Sequence, residues 1–440
     1  MGRKVFISFL GYSNYGECYY TKDDFKSKQV RFVQVAILDY LNGIEKWTNN
    51  DYVYILLTKG AEDKNWVDDS QADRKSGEVI KQSGLNTCLQ EMKLPLNIVP
   101  LKNIPDGNNE EEIWKIFERI FREINDDDEL YFDLTHGFRY LPMLILVLGN
   151  YSKFLKKVTI KSITYGNYES RNKETEEAPI IDLTPLSILQ DWTSASASFI
   201  EGGNVKRLSK LCNESTKPIM RDEVQRNANP EVKTLDNFIK ILESVVAEIR
   251  GCRGISILES RKIAQLLTLS NQLESTIIPP MNPILNKIKE SFSKFHPRSD
   301  IRNGYMAAQW CYDNELYQQS ITILQENMIS HVCEIESIDK KNEYQRNLIS
   351  SSFMIKHTKL SKDNWNDMCV ENSATVEKLL DNILIDKTHH SFKILSGIRN
   401  DYNHSGMRSN PTTTEKINKI LKEQLDFILE NVLNIQTTNQ

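Results

Sequence analysis

Apolar residues follow two regimes along this chain. Up to about residue 185, short, nearly continuous apolar runs alternate with stretches of helical period. Lys4-Val5-Phe6-Ile7-Ser8-Phe9-Leu10 ends at Gly11, and Tyr52-Val53-Tyr54-Ile55-Leu56-Leu57-Thr58 ends at Lys59-Gly60. Leu96 to Leu101 is a weaker third run, and Glu129 to Leu134 leads into Thr135-His136-Gly137. Lys157 to Gly166 is a fifth and Ile180 to Leu183 a short sixth. Between them, Gln29 to Leu41 carries Val30, Val33, Ile37, Leu38 and Leu41 on one helical face, and Glu110 to Ile124 carries Ile113, Ile116, Phe117, Ile120 and Ile124. Apolar strands joined by helices predict an α/β fold with a parallel, doubly wound sheet. Such sheets bind ligands beyond the carboxyl ends of their strands, where the strand order switches.

From about Thr184 onward nearly everything reads helical. The 3.6-residue period is clearest in Val232 to Ile249, Ile255 to Ile277, Tyr317 to Ile329 and Ile417 to Leu433. Turn signals fall at Gly202-Gly203, Pro218, Asn229-Pro230, Pro279-Pro280 and His296-Pro297. The expected organisation is an α/β domain over 1–185, a helical connector over 186–245 and an all-α domain over 246–440.

With 440 residues, two or three domains are expected. The longest apolar run, Leu141 to Leu148, is too short to span a membrane. The first residues enter a strand directly, without a signal-peptide core, and Gly2 with Ile7 does not fit a myristoylation site. Seven scattered cysteines without a CxxC pair suit a reduced compartment and no structural zinc. A cytoplasmic protein is therefore expected. The net charge of −5 means that any nucleic acid must be met by a local basic patch.

Two constellations carry chemistry. The fourth strand runs into Asp133-Leu134-Thr135-His136-Gly137-Phe138-Arg139, and a helix follows at once. A strand, a polar turn with glycine and a helix start can cradle a phosphate: Thr135 and the following amides donate, Gly137 permits close approach, and His136 and Arg139 add a donor and a fixed charge. The same residues also suit a plain helix N-cap through Asp133 or Thr135. The loops Ser8-Phe9-Leu10-Gly11-Tyr12 and Thr58-Lys59-Gly60 end strands on the same edge, and three such ends describe a binding site better than three independent caps. No GxGxxG or Walker motif is present.

The second constellation is Arg399-Asn400-Asp401-Tyr402-Asn403-His404, at the end of the helical pattern Ser391 to Ile398. Arginine clamps phosphate with a planar fork and histidine moves protons at neutral pH. The pair suits RNA cleavage by the substrate's own 2′-hydroxyl, which needs no metal; it also suits a helix-end surface pair. Five positions on a helix leave two side chains about 140° apart, so they converge only if the arginine bridges the gap or the helix ends between them. His296, His331, His357 and His389-His390 show no metal-ligand spacing, and no metal is expected.

Asp133-Leu134-Thr135-His136-Gly137 matches the motif of the CRISPR-associated DxTHG proteins of type III systems, and the chain resembles that family along nearly its whole length. Ser8-Phe9-Leu10-Gly11, Phe32-Val33-Gln34-Val35-Ala36, Tyr165-Gly166, Ile181 to Pro185, Trp310 and Tyr317-Gln318-Gln319-Ser320 to Glu326 share the likeness. The resemblance implies a Rossmann-like CARF domain that senses cyclic oligoadenylate, followed by an all-α HEPN ribonuclease domain. Ser8, Leu10, Gly11, Thr58, Lys59, Asp133, Thr135, His136, Gly137 and Arg139 then fall on the ligand site. Arg399, Asn400 and His404 fall on the HEPN motif, whose composite site forms between two copies. Arg408 is a further candidate for RNA backbone, or a solvated charge.

The implied protein is a homodimer or higher oligomer. It cleaves single-stranded RNA without a metal or cofactor, leaving 2′,3′-cyclic phosphate ends, and is switched on by cyclic tetra-adenylate, or alternatively hexa-adenylate. Ring cleavage by the CARF domain stays open. A ligand-sensing adaptor or regulator with an inactive helical domain is the alternative. A metal-dependent nuclease has no clustered acid-acid-lysine set in the helical half to support it.

Overall fold

The computed structural model describes residues 2–72, 79–137, 140–273, 276, 278–407 and 409–433. They form two compact units, 1–190 and 191–440.

In the first unit the strands are β1 (Lys4–Leu10), β2 (Cys18–Lys22), β3 (Phe25–Val30), β4 (Tyr52–Leu57), β5 (Asp69–Ala72), β6 (Val79–Gln82), β7 (Asn97–Leu101), β8 (Glu129–Asp133), β9 (Thr159–Gly166) and β10 (Glu177–Asp182). Eight of them make one sheet in the order β3-β2-β10-β9-β8-β1-β4-β7, while β5 and β6 form a separate hairpin. The sheet is parallel from β9 to β7, as the apolar runs predict. Beyond β9 it is mixed: β10 runs antiparallel to β9, and β2 pairs parallel to β10.

Alternation along β1 assigns its two faces. Val5, Ile7 and Phe9 join a core with Ile116, Ile120, Leu141, Ile145 and Leu148 of the helices Glu110–Glu123 and Leu141–Lys156. Phe6 and Leu10 join the core built by Val33, Ile37, Leu38 and Leu41 of the helix Val33–Ile44. Burial on both faces is what makes the central strands read as unbroken apolar runs. Asn109 caps the helix Glu110–Glu123 by accepting from the Glu112 amide (3.0 Å), and Glu112 reaches back to the Asn108 amide (2.9 Å).

Two expectations are corrected. Gln29 and Val30 are not in a helix. They end β3, which pairs with β2 through a turn at Asp23, in the left-handed region (φ +51°). Burial alternates only around Ser27, buried between exposed Lys26 and Lys28, and the Ser27 hydroxyl accepts from the Tyr20 amide (2.8 Å). In the second unit, the pattern Ile255 to Ile277 is not one helix but two, Gly254–Glu259 and Arg261–Gln272, with Ile277 outside the described residues. Ser260 breaks it: its φ is +59° and its hydroxyl donates to the His296 carbonyl (2.6 Å).

The second unit is all helical among its described residues. One core joins Trp192, Phe199 and Leu208 to Phe238, Tyr305, Leu324, Phe353, Phe392, Leu395 and Leu425. Residues from Trp192 to Val246, within or just past the stretch 186–245 read as a connector, share a core with the helix Ile383–Asn403. Among the described residues no helix is long and apolar enough to cross a membrane.

Candidate ligand-binding and catalytic sites

In the first unit, β4, β1 and β8 lie side by side and parallel, so their carboxyl ends share one edge. Among the parallel strands the order runs from β1 outward through β4 to β7, then returns to β8 on the other side of β1, which puts the switch in strand order at this edge. There a cavity of about 390 Å³ opens, lined by residues that include Leu10, Gly11, Tyr12, Ser13, Tyr15, Thr58, Ile104, Pro105, Thr135, His136 and Gly137. The three strand ends singled out in the sequence are therefore brought together.

Ser8 and Asp133 do not line the cavity; they hold its floor. They are register partners on β1 and β8. The Ser8 hydroxyl donates to Asp133 Oδ2 (2.7 Å), while Asp133 Oδ1 accepts from the Thr135 amide (2.9 Å) and hydroxyl (2.5 Å). Thr135 Oγ1 in turn accepts from the Gly166 amide (2.7 Å), tying the turn to β9. Asp133 is fully buried, and burial raises the pKa of its carboxyl above the usual range against the opposing pull of the Thr135 and Ser8 hydrogen bonds. This network satisfies every partner it engages, and it sets the direction in which Thr135, His136 and Gly137 leave the strand.

His136 packs on Tyr15 with ring centroids 4.3 Å apart. Its Nε2 is buried without a hydrogen-bond partner among the described residues, and burial lowers its pKa to about 4, so the ring is neutral at pH 7. A buried, unpartnered ring nitrogen in a cavity wall is a ready hydrogen-bonding group for a ligand. Gly137 has φ +131°, and a Cβ there would come within 2.5 Å of Leu141 Cδ1. A Cβ on Gly11 would come within 2.5 Å of the Tyr15 hydroxyl. Tyr12, 62% exposed, offers a ring face at the mouth suited to stacking a base.

Thr58 caps the turn after β4 by accepting from the Ala61 amide (3.3 Å). Lys59 does not line the cavity; its ammonium is exposed and pairs with Asp63 (2.8 Å). Arg139 lies outside the described residues. Two supports escaped the sequence reading. Asn65 Nδ2 donates to the carbonyls of Gly11 (2.8 Å) and Ser13 (3.0 Å), and its Oδ1 accepts from Arg31 (2.8 Å). Gln34 Nε2 donates to the Phe9 carbonyl (3.0 Å). Both are fully buried polar side chains. Gln34 left a signal, an amide inside an otherwise apolar helix face. Asn65 left none, because it comes from a turn of a different element.

In the second unit the helix Ile383–Asn403 carries Arg399 in its last turns, and His404 is its C-cap. The helix closes with a Schellman pattern: the Ser405 amide donates to the Tyr402 carbonyl (3.1 Å), the Gly406 amide to the Asp401 carbonyl (2.9 Å), and Ser405 has φ +54°. The His404 amide still donates to the Asn400 carbonyl (2.9 Å), so its backbone keeps the helical position, about 140° around the axis from Arg399, and the helix closes just after it. His404 and Asn400 are exposed and Arg399 is half-buried. The Arg399 Nη1 donates to Glu326 Oε1 (3.0 Å). The intervening residues are structural: buried Asp401 accepts from the Thr412 amide (2.7 Å), Tyr402 donates to Asn418 (3.3 Å), and Asn403 accepts from Gln318 (3.1 Å). Arg408 lies outside the described residues. Among the described residues no cluster of three or more His, Cys, Asp or Glu side chains is placed to hold a metal ion.

The parallel-rich sheet, doubly wound and open at its switch point, defines the first unit as a Rossmann-like ligand-binding domain. Residues 5–169 match the family model described as the CARF domain of the CRISPR system endoribonuclease Csx1. The chain is also 26% identical over 255 residues to the CRISPR-associated protein MJ1674 of Methanocaldococcus jannaschii, an alignment that covers 56% of this chain and 37% of that relative. The first unit is thus similar to the CARF domains of CRISPR-associated proteins.

Proposed function

We propose that the chain is an ancillary endoribonuclease of type III CRISPR defence, switched on by cyclic oligoadenylate in its CARF unit and cleaving single-stranded RNA in its helical unit. The observation that carries the reading is the placement of Arg399 and His404 at the closed end of one helix, both reachable from solvent, in a chain whose other unit is a CARF domain. Cyclic oligoadenylate suits the cavity: Thr135, whose own amide and hydroxyl are spent on Asp133, fixes the turn whose following amides are offered to the phosphates, His136 Nε2 supplies a hydrogen bond, and Tyr12 stacks on a base. Cyclic tetra-adenylate is the favoured activator.

Two copies would pair so that Arg399 and His404 of each face one RNA strand, a symmetric arrangement that repeats the same helix across the axis. The outward face of the helix Leu141–Lys156 supports pairing: Met143 (71%), Val147 (58%) and Leu155 (56%) are exposed apolar side chains along it. One His404 takes the proton of the RNA 2′-hydroxyl. The 2′-oxygen attacks phosphorus, the bond to the 5′-oxygen breaks, and the second copy's His404 protonates the leaving oxygen. The products are a 2′,3′-cyclic phosphate and a 5′-hydroxyl. Arg399 stabilises the charge that builds on the phosphate, and Asn400 orients it. The ligand activates by binding the active arrangement more tightly than the inactive one.

The test is cleavage of a fluorescent single-stranded RNA in EDTA, with and without cyclic tetra- or hexa-adenylate, beside His404→Ala. Activation by one ring, lost in the variant, is expected. Ligand binding without any cleavage would instead favour the sensing adaptor.

A further inference from the structure

We infer that Glu326 is a positioning residue for Arg399, and that Arg346 holds Glu326 in place for that task. The inference rests on the nuclease reading and adds to it two residues that the Arg-x4-His motif does not contain.

Glu326 lies on the helix Tyr317–Ile335 and uses its two carboxylate oxygens on two different arginines. Oε1 accepts from Arg399 Nη1 (3.0 Å) and Oε2 from Arg346 Nη2 (2.8 Å). Arg346, on the helix Glu343–Thr358, is itself fixed: its Nη1 donates to Ser330 Oγ (2.9 Å) and the Lys340 carbonyl (3.2 Å), and its Nη2 also donates to the Glu326 carbonyl (3.2 Å). Arg346, with four hydrogen bonds, is the most tethered of the three. Arg346 is 18% exposed, Arg399 30% and Glu326 44%.

An isolated surface pair between Glu326 and Arg399 would do little, because both side chains are long and mobile. Here one end of the carboxylate is anchored by a tethered guanidinium, so the other end is a fixed point. Arg399 spends one N–H on it, and among the described residues its remaining donors make no hydrogen bond, leaving them free for a phosphate. The trio carries two positive charges and one negative, so the carboxylate is neutralised and the cluster still attracts a phosphodiester. Ordering the guanidinium before substrate arrives removes a cost that would otherwise fall on the transition state.

The experiment measures kcat and KM on the fluorescent RNA with the full-length protein, in EDTA and saturating cyclic tetra-adenylate. The variants are Glu326→Ala, Glu326→Gln, Arg346→Ala, Glu326→Ala with Arg346→Ala, and Arg399→Ala. Glu326→Ala is expected to lower kcat by about 10- to 100-fold with KM within about twofold, since misplacement of a catalytic group acts on turnover. Arg346→Ala is expected to lower kcat less, and the double variant to be no worse than Glu326→Ala, because both act through one relay. Glu326→Gln, which keeps shape and one acceptor, should fall between and serves if Glu326→Ala does not fold. Wild-type turnover in both Glu326 variants overturns the inference, as does turnover above wild type, which would make the carboxylate a brake. Multiplicative losses in the double variant also overturn it. Wild-type cleavage by Arg399→Ala would instead sink the nuclease reading itself.

Discussion

Ser8 and Asp133, 125 residues apart in the chain, meet across adjacent parallel strands with the serine hydroxyl 2.7 Å from Asp133 Oδ2, in a site with no access to water. The carboxylate is the hub of the turn that carries Thr135, His136 and Gly137. Its other oxygen holds both the amide and the hydroxyl of Thr135. The DxTHG signature is therefore two devices in sequence: an acid that fixes the turn from beneath, and a polar surface presented above it.

Removing the hub should cost stability and binding together. Asp133→Ala strands buried donors of Ser8 and Thr135, and a loss of roughly 2–4 kcal/mol is expected from urea unfolding. Binding of cyclic tetra-adenylate, read by calorimetry, should be lost as well. Ser8→Ala removes one of three hydrogen bonds and should cost about 1 kcal/mol with weaker but measurable binding. If Asp133→Ala bound the ring with wild-type affinity, the network would not be organising the site.

Acid should destabilise the protein through two histidines. His331 is buried and His136 is half-buried with its Nε2 enclosed; both rings are held neutral, with pKa lowered from 6.5 to about 4, chiefly by burial. The unfolded chain takes up protons first as pH falls. The stability tied to the neutral rings is thus fully present above about pH 6.5 and is lost as pH falls toward 4. Each shift is worth up to about 3 kcal/mol. Urea unfolding between pH 7.5 and 4.5 should show this slope, and His136→Asn should flatten it. An unchanged slope in that variant would mean the ring is not held neutral.

The central strands and the ligand edge were legible because their causes are local. A strand buried on both faces must be apolar throughout, and a polar turn with glycine must interrupt it where chain meets ligand. The β2–β3 hairpin was missed because its outer face is lysine-rich and its inward positions include Ser27, so its period of two is quiet. The break at Ser260 was invisible because its cause, the His296 carbonyl, is 36 residues away. The same reason hid Asn65 and Glu326. Each acts on residues of another element, and spacing along one element carries no trace of such a contact.

Gly137 should tolerate no side chain. Its φ of +131° is a region that residues with a Cβ rarely adopt, and the Cβ itself would press on Leu141 at the start of the next helix. Gly137→Ala should cost about 1–3 kcal/mol and shift the turn that presents Thr135 and His136. The expected result is an affinity for cyclic tetra-adenylate reduced at least tenfold. Wild-type affinity would show that the ligand does not lean on this turn.

The apolar stripe on the helix Leu141–Lys156 is where pairing of CARF units should fail first. Met143 and Val147 are four positions apart, so they lie on one helix face, and both are more than half exposed. On a chain with a net charge of −5, leaving such side chains in water has no local compensation, while covering them with a second copy removes apolar surface on both partners at once. Val147→Glu would place a charge against its own symmetry mate or close to it, and Met143→Glu beside it would add a second. The wild type is expected to elute and scatter as a dimer and the double variant as a monomer. If the nuclease site is composite, cleavage should disappear with the dimer although Arg399 and His404 are untouched. Binding of the ring should weaken too, because a two-fold ligand would lose half of its contacts. A monomeric variant that still cleaves RNA at the wild-type rate would place the whole reaction within one chain, and the complementary proton transfers would then need a second group besides His404.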